Sequence, residues 1–150
     1  MTIRAFLAAM LACGLLAWLP AAAQFQRSAH AVKYRQSTFS VMGTHFGRIR
    51  AMVHNRVPFD TAALAANAEI VSTLSRLPFA AFGEGTDTGN TQALPAIWRQ
   101  RAKFDAAAAQ MQQAAAALNT AAKTGDMARI RPAFGAVDAA CKGCHDDFRD

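Results

Sequence analysis

The chain is 150 residues long, 53% hydrophobic and 17% charged, with a formal net charge of +6. That length suits one domain with one core. Its basic residues are scattered (Arg35, Arg48, Arg56, Arg99, Arg131) and not clustered with aromatics, which argues against nucleic-acid binding. A mildly basic surface fits an anionic periplasmic or membrane-surface partner, and equally a plain solvated one.

Residues 1–23 read as a cleaved secretory signal peptide. Arg4 supplies the positive start, Ala5 to Leu19 an apolar run, Pro20 a break, and Ala21-Ala22-Ala23 the small-residue cleavage pattern. The run is short for a membrane span of about 20 residues, and no stop-transfer charges follow it. Met10-Leu11-Ala12-Cys13 loosely resembles a lipidation box, but the apolar run continues past it, so Cys13 is expected to leave with the leader. Cleavage would take away one positive charge, Arg4, bringing the net charge of +6 down to +5 over residues 24–150.

Apolar positions at alternating steps of three and four predict four helices. The first, from about Ala31 to Val53, carries Phe39, Met42, Phe46, Ile49 and Val53, with Arg35 one turn earlier on the same line. Asn55, Val57 and Pro58 make a turn. Asp60 then caps a second helix running to about Leu77, with Leu64, Val71 and Leu74 inward, until Pro78 ends it. From Phe79 to Leu94 the pattern disappears into a glycine-rich connection without the lysine of a phosphate-binding loop. Pro95 opens a third helix along Ile97, Arg101, Phe104, Ala108, Met111, Ala115, Leu118 and Ala122. Gly125 stops it, and Asp126 caps a fourth, along Met127, Ile130, Phe134, Val137, Cys141, Cys144 and Phe148, which Pro132 should bend. The expectation is an all-α, antiparallel up-down-up-down four-helix bundle.

The last helix carries the chemistry. Cys141-Lys142-Gly143-Cys144-His145 is the C-x-x-C-H pattern of covalent haem attachment. Each thiol adds across one haem vinyl group, and the adjacent imidazole reaches iron as an axial ligand. Structural zinc wants a second ligand pair, and none follows. A redox dithiol wants a strand-to-helix context, whereas this motif ends a helix. The apolar seam of the fourth helix runs directly into both cysteines, so the macrocycle, one haem c per chain, belongs inside the bundle near its end. His30, His45 and His54 lack partners at metal spacing. No nucleophile-base pair or carboxylate dyad is evident, so turnover chemistry is not expected.

A leader, four helices and C-x-x-C-H at the C-terminal end resemble the class II c-type cytochromes, and cytochrome c′ in particular. The likeness is carried by Tyr34-Arg35-Gln36-Ser37, Met42 and His45-Phe46-Gly47-Arg48 in the first helix. Leu77-Pro78-Phe79-Ala80-Ala81-Phe82-Gly83, Pro95-Ala96-Ile97-Trp98, Ala133-Phe134-Gly135 and Cys141 to Arg149 carry the rest. The resemblance implies a periplasmic haem protein, a homodimer through the first two helices, and a five-coordinate high-spin iron held by His145. It also implies binding of the diatomic gases NO and CO, disfavoured O₂, and a role in NO handling or electron transfer with an unspecified redox partner.

Position by position, Phe39 matches the apolar residue that covers the open iron face. Met42 matches a methionine packing near the haem edge, although close relatives use a first-helix methionine as sixth ligand. Arg35 matches an arginine that pairs with a haem propionate, and Arg149 one at the proximal pocket, where a ligand displacing His145 would arrive. Phe148 is expected to pack near the haem. Two further readings stand beside this one: a low-spin electron carrier ligated by Met42, and a haem-free interaction bundle that merely carries a CxxC.

Overall fold

The first apolar stripe folds as expected. In the computed structural model, which describes residues 25–150, α1 spans Ser28–Val53 and buries Arg35, Met42, Phe46, Ile49 and Val53 on one side. The leader expectation, with Cys13, lies outside the described residues. α1 ends in a left-handed cap: Asn55 has φ +56°, its N–H donates to Met52 O, and Arg56 N–H reaches back to Ala51 O. Asparagine tolerates that conformation better than most side chains.

Asp60 caps α2 (Thr61–Leu74), accepting from Ala63 N–H at 2.9 Å. The helix stops one turn before the expected Leu77: Arg76 N–H turns to Thr73 O and Leu77 N–H to Leu74 O, so the last turn tightens into 3-10 bonding ahead of Pro78. Pro78–Ala81 then forms a single 3-10 turn.

The third helix is not continuous. α3 (Ala96–Arg99) and α4 (Arg101–Ala122) are separated at Gln100, whose φ of −120° and ψ of 46° leave the helical region. The break lets Trp98 donate from Nε1 to Gly83 O at 2.8 Å, while Arg101 donates to Phe82 O at 2.9 Å. Arg101, placed on the inward line by its spacing, is therefore exposed and ties down the preceding loop.

Gly125 and Asp126 separate α4 from α5 (Met127–Phe148), Asp126 accepting from Ala128 N–H at 2.8 Å. Gly125 is required twice over: its φ is +68°, and a Cβ there would come within 3.0 Å of Thr61 Cγ2. Gly125→Ala is therefore expected to cost about 1–3 kcal/mol, read as a lowered thermal midpoint with an unchanged helical circular-dichroism signal at room temperature. α5 runs through Pro132 without ending. Pro132 and Ala128, whose carbonyl loses its partner there, are both exposed, so water can replace the missing bond.

α1 packs on α2, α2 on α4, α4 on α5 and α5 back on α1, closing an antiparallel up-down-up-down four-helix bundle. Among the described residues the only β pairing is one antiparallel bridge, Ala93 with Arg149, and no helix is long and apolar enough to cross a membrane. The core has two parts. The larger runs between the four long helices and includes Phe46 stacked on Phe134 at 4.8 Å. The smaller, built from Phe82, Ile97, Phe104 and Phe148, sits at the end where α5 finishes. Phe39 and Phe79 touch both.

Candidate haem site

Between these two parts lies a cavity of about 990 Å³, at the upper end of what a bound cofactor needs. α1 contributes Arg35, Phe39, Met42 and Phe46 to its wall; α5 contributes Val137, Cys141, Cys144, His145 and Phe148, and Arg149 follows just past its end. All eight residues expected at the site from sequence (Cys141, Cys144, His145, Arg35, Phe39, Met42, Phe148, Arg149) line this one space.

The lining explains what the space can hold. Phe79, Phe82, Phe104 and Phe148 form a chain of ring contacts, with centroids 5.7 Å apart for Phe79–Phe104, 4.9 Å for Phe82–Phe104 and 5.3 Å for Phe104–Phe148. Phe39 stands edge-on to Phe79 at 5.9 Å. Such a wall suits a flat, largely apolar group. Cys141 and Cys144 are free, half-buried thiols three residues apart on α5. Burial pushes both thiols up from their ordinary value, helped by Asp138 and the neighbouring Cys144 at Cys141, where Arg50 opposes, and by Asp147 at Cys144. A working redox dithiol has a depressed thiol, so this environment speaks against that rival. Among the described residues no group of three or more His, Cys, Asp and Glu could hold a metal ion, which leaves structural zinc without a ligand set.

His145 follows immediately and is exposed. Burial and then Arg149 push its imidazole down, against Asp146. The neutral ring that results is the form with a lone pair for a metal. A macrocycle attached at Cys141 and Cys144, with His145 on its iron, fits the donor set and the apolar walls. The other histidines are placed elsewhere: His45 Nδ1 lies 2.7 Å from Asn67 Oδ1, and His54 stands edge-on to Phe134 at 5.7 Å.

Arg35 is 2% exposed, an unusual place for a cation. Its Nη1 donates to Ala81 O at 3.0 Å and Thr86 Oγ1 at 3.1 Å, and its Nη2 to Thr86 O at 2.8 Å and Thr91 Oγ1 at 2.9 Å. The guanidinium also lies 4.3 Å from the Phe82 ring centroid. Burial pushes its pKa down against the pull of Asp87, but an arginine stays charged in any such setting. Arg35 thus lines the cavity while organising the connection that the sequence left irregular. The propionate partner implied by resemblance would meet a side chain already committed to four loop acceptors. Thr86 and Thr91 went unnoticed in the sequence, since nothing short-range marks a threonine as the partner of an arginine more than 50 positions away.

A family model described as Cytochrome C′ matches residues 30–149, nearly all of the described chain. The chain belongs to the cytochrome c′ family. It is 49% identical over 128 residues to a cytochrome c′ of Rubrivivax gelatinosus, covering 85% of this chain and 99% of that protein. The solved structure of cytochrome c′ from Rubrivivax gelatinosus superposes with a TM-score of 0.82, over 85% of this chain and 100% of that one, at 49% identity. A nitric oxide complex of a variant cytochrome c′ from Alcaligenes xylosoxidans superposes with a TM-score of 0.80 at 44% identity, over 85% of this chain and 98% of that one. Membership of the cytochrome c′ family implies c-type haem, and the two cysteines it requires are present as Cys141 and Cys144.

Proposed function

We propose that this chain is a periplasmic cytochrome c′ that carries one covalent haem c through Cys141 and Cys144. Its iron, ligated by His145, is five-coordinate and high-spin, and the protein binds NO and CO without catalysing turnover. The observation that carries this reading is that Cys141, Cys144 and His145 on α5 and Phe39 on α1 line one cavity. Haem iron supplies the coordination position at which a diatomic gas binds and through which an electron can pass.

The chain's own residues do the selecting. Phe39 has no lone pair to offer a metal, so it excludes water and ligands sterically and leaves His145 the sole protein ligand. Neither the Phe39 nor the Met42 side chain carries an N–H or O–H to support the negative charge that bound oxygen develops, which disfavours that gas. The nitric oxide complex of the Alcaligenes xylosoxidans relative supports NO as a ligand class. Export through the leader and a homodimer through α1 and α2 complete the proposal. Val41 on α1 and Ile70 on α2, both exposed, are apolar positions that self-association would cover.

Met42 favours a second reading, because it too lines the cavity and could serve a low-spin electron carrier. It is 7% exposed and packed in the larger core with Phe46, the ordinary work of a flexible apolar side chain. Two spectra decide between these readings. A pyridine haemochrome should show c-type haem, which the haem-free bundle would lack. The resting ferrous spectrum should be high-spin and unchanged in Met42→Ala; a low-spin spectrum that turns high-spin in that variant would establish the electron carrier instead.

A further inference from the structure

Arg149 is exposed, yet its side chain is held. Its Nε and Nη2 both donate to Gln92 Oε1, at 3.0 and 2.7 Å. Two N–H groups on one oxygen fix the direction of the guanidinium fork as well as its reach. The backbones are stitched at the same place: Leu94 N–H donates to Phe148 O at 3.0 Å and Asp150 N–H to Gln92 O at 2.9 Å. Thr91, one residue before Gln92, is bonded in turn to the buried Arg35. Gln92 therefore stands on an anchored segment and does not follow wherever Arg149 swings. Gln92, Arg149 and His145 all line the same cavity, and Arg149 N–H donates to His145 O at 3.0 Å.

We propose that Gln92 is a positioning residue: it holds the Arg149 guanidinium on the His145 side of the cavity and leaves Nη1 free to donate to a small gas ligand arriving there. The proposal rests on the haem reading above. Without Gln92 an exposed arginine spreads over many rotamers, and its donors are seldom aimed at one place. The backbone bonds of the segment do not use the Gln92 side chain, so its loss should leave the fold intact.

The test compares wild type with Gln92→Ala, Gln92→Glu, Arg149→Ala and the Gln92→Ala/Arg149→Ala double variant, with haem content measured first. In the diamagnetic ferrous CO form, the Arg149 Nε–H resonance should be sharp and slowly exchanging in wild type and Gln92→Glu, and lost in Gln92→Ala. With NO as the probe, the ratio of adduct lacking His145 to adduct retaining it, read by electron paramagnetic resonance, should fall about fivefold in Gln92→Ala. Gln92→Glu should restore that ratio, and Gln92→Ala should change nothing further once Arg149 is alanine. An unchanged resonance overturns the proposal, as does an unchanged ratio or an equal fall in the Arg149→Ala background. Absence of covalent haem in every protein, wild type included, would overturn the functional reading with it. Normal haem without these differences overturns the proposal alone.

Discussion

Replacing Cys141 and Cys144 together by alanine is expected to abolish covalent haem retention. Acid acetone should leave the group on the wild-type protein and strip all of it from the variant, because a thioether survives that treatment and axial ligation by His145 does not. The two thiols line one cavity from one helix, three residues apart, and the described residues hold no other cysteine to substitute for them. Single variants should keep one thioether and so remain coloured after extraction. Haem released from wild type by acid acetone would end the assignment, and so would haem that stays bound to the double variant.

Phe39→Ala should accelerate CO association at least about tenfold, a change that needs only ~1.4 kcal/mol off the barrier. The ring is only partly buried, borders the cavity, and is braced by Phe79 and by Phe82 at 6.4 Å. A ligand has to push the ring against those neighbours, so the cost is steric and disappears with it. His145 lies on another helix and is untouched by the substitution. Stopped-flow mixing of the ferrous proteins with CO reads the difference directly. Equal rates in the two proteins would mean that Phe39 does not guard the iron.

The parts of the fold legible in the sequence were those fixed by short-range physics. The seam through Phe134, Val137, Cys141, Cys144 and Phe148 gave α5 its phase, and phase alone turned both thiols inward. Asp60 and Asp126 marked two helix starts because a carboxylate can satisfy an otherwise unpaired backbone N–H. What the pattern missed depends on partners distant in sequence. Arg101 occupied an apolar-phase position, yet the break at Gln100 sends it to Phe82 O, 19 residues back. Arg35 was recognised as inward, but its loop acceptors could not be named from spacing. Gln92 carried no signal at all, since an amide in a glycine-rich loop looks like any other polar loop residue.

The contacts that secure this loop have a consequence in time. α1 with α2, and α4 with α5, meet as hairpins across short connections, whereas Arg35 joins residues 46 to 56 positions away and Arg149 reaches back 57 to Gln92. Closing such long loops costs chain entropy before any bond is gained, so these contacts form after the hairpins. Until they do, the end of the bundle over Cys141 and Cys144 stays open. A rigid macrocycle that entered in that interval would meet helices not yet tied together beside the cavity by Arg35 and Arg149.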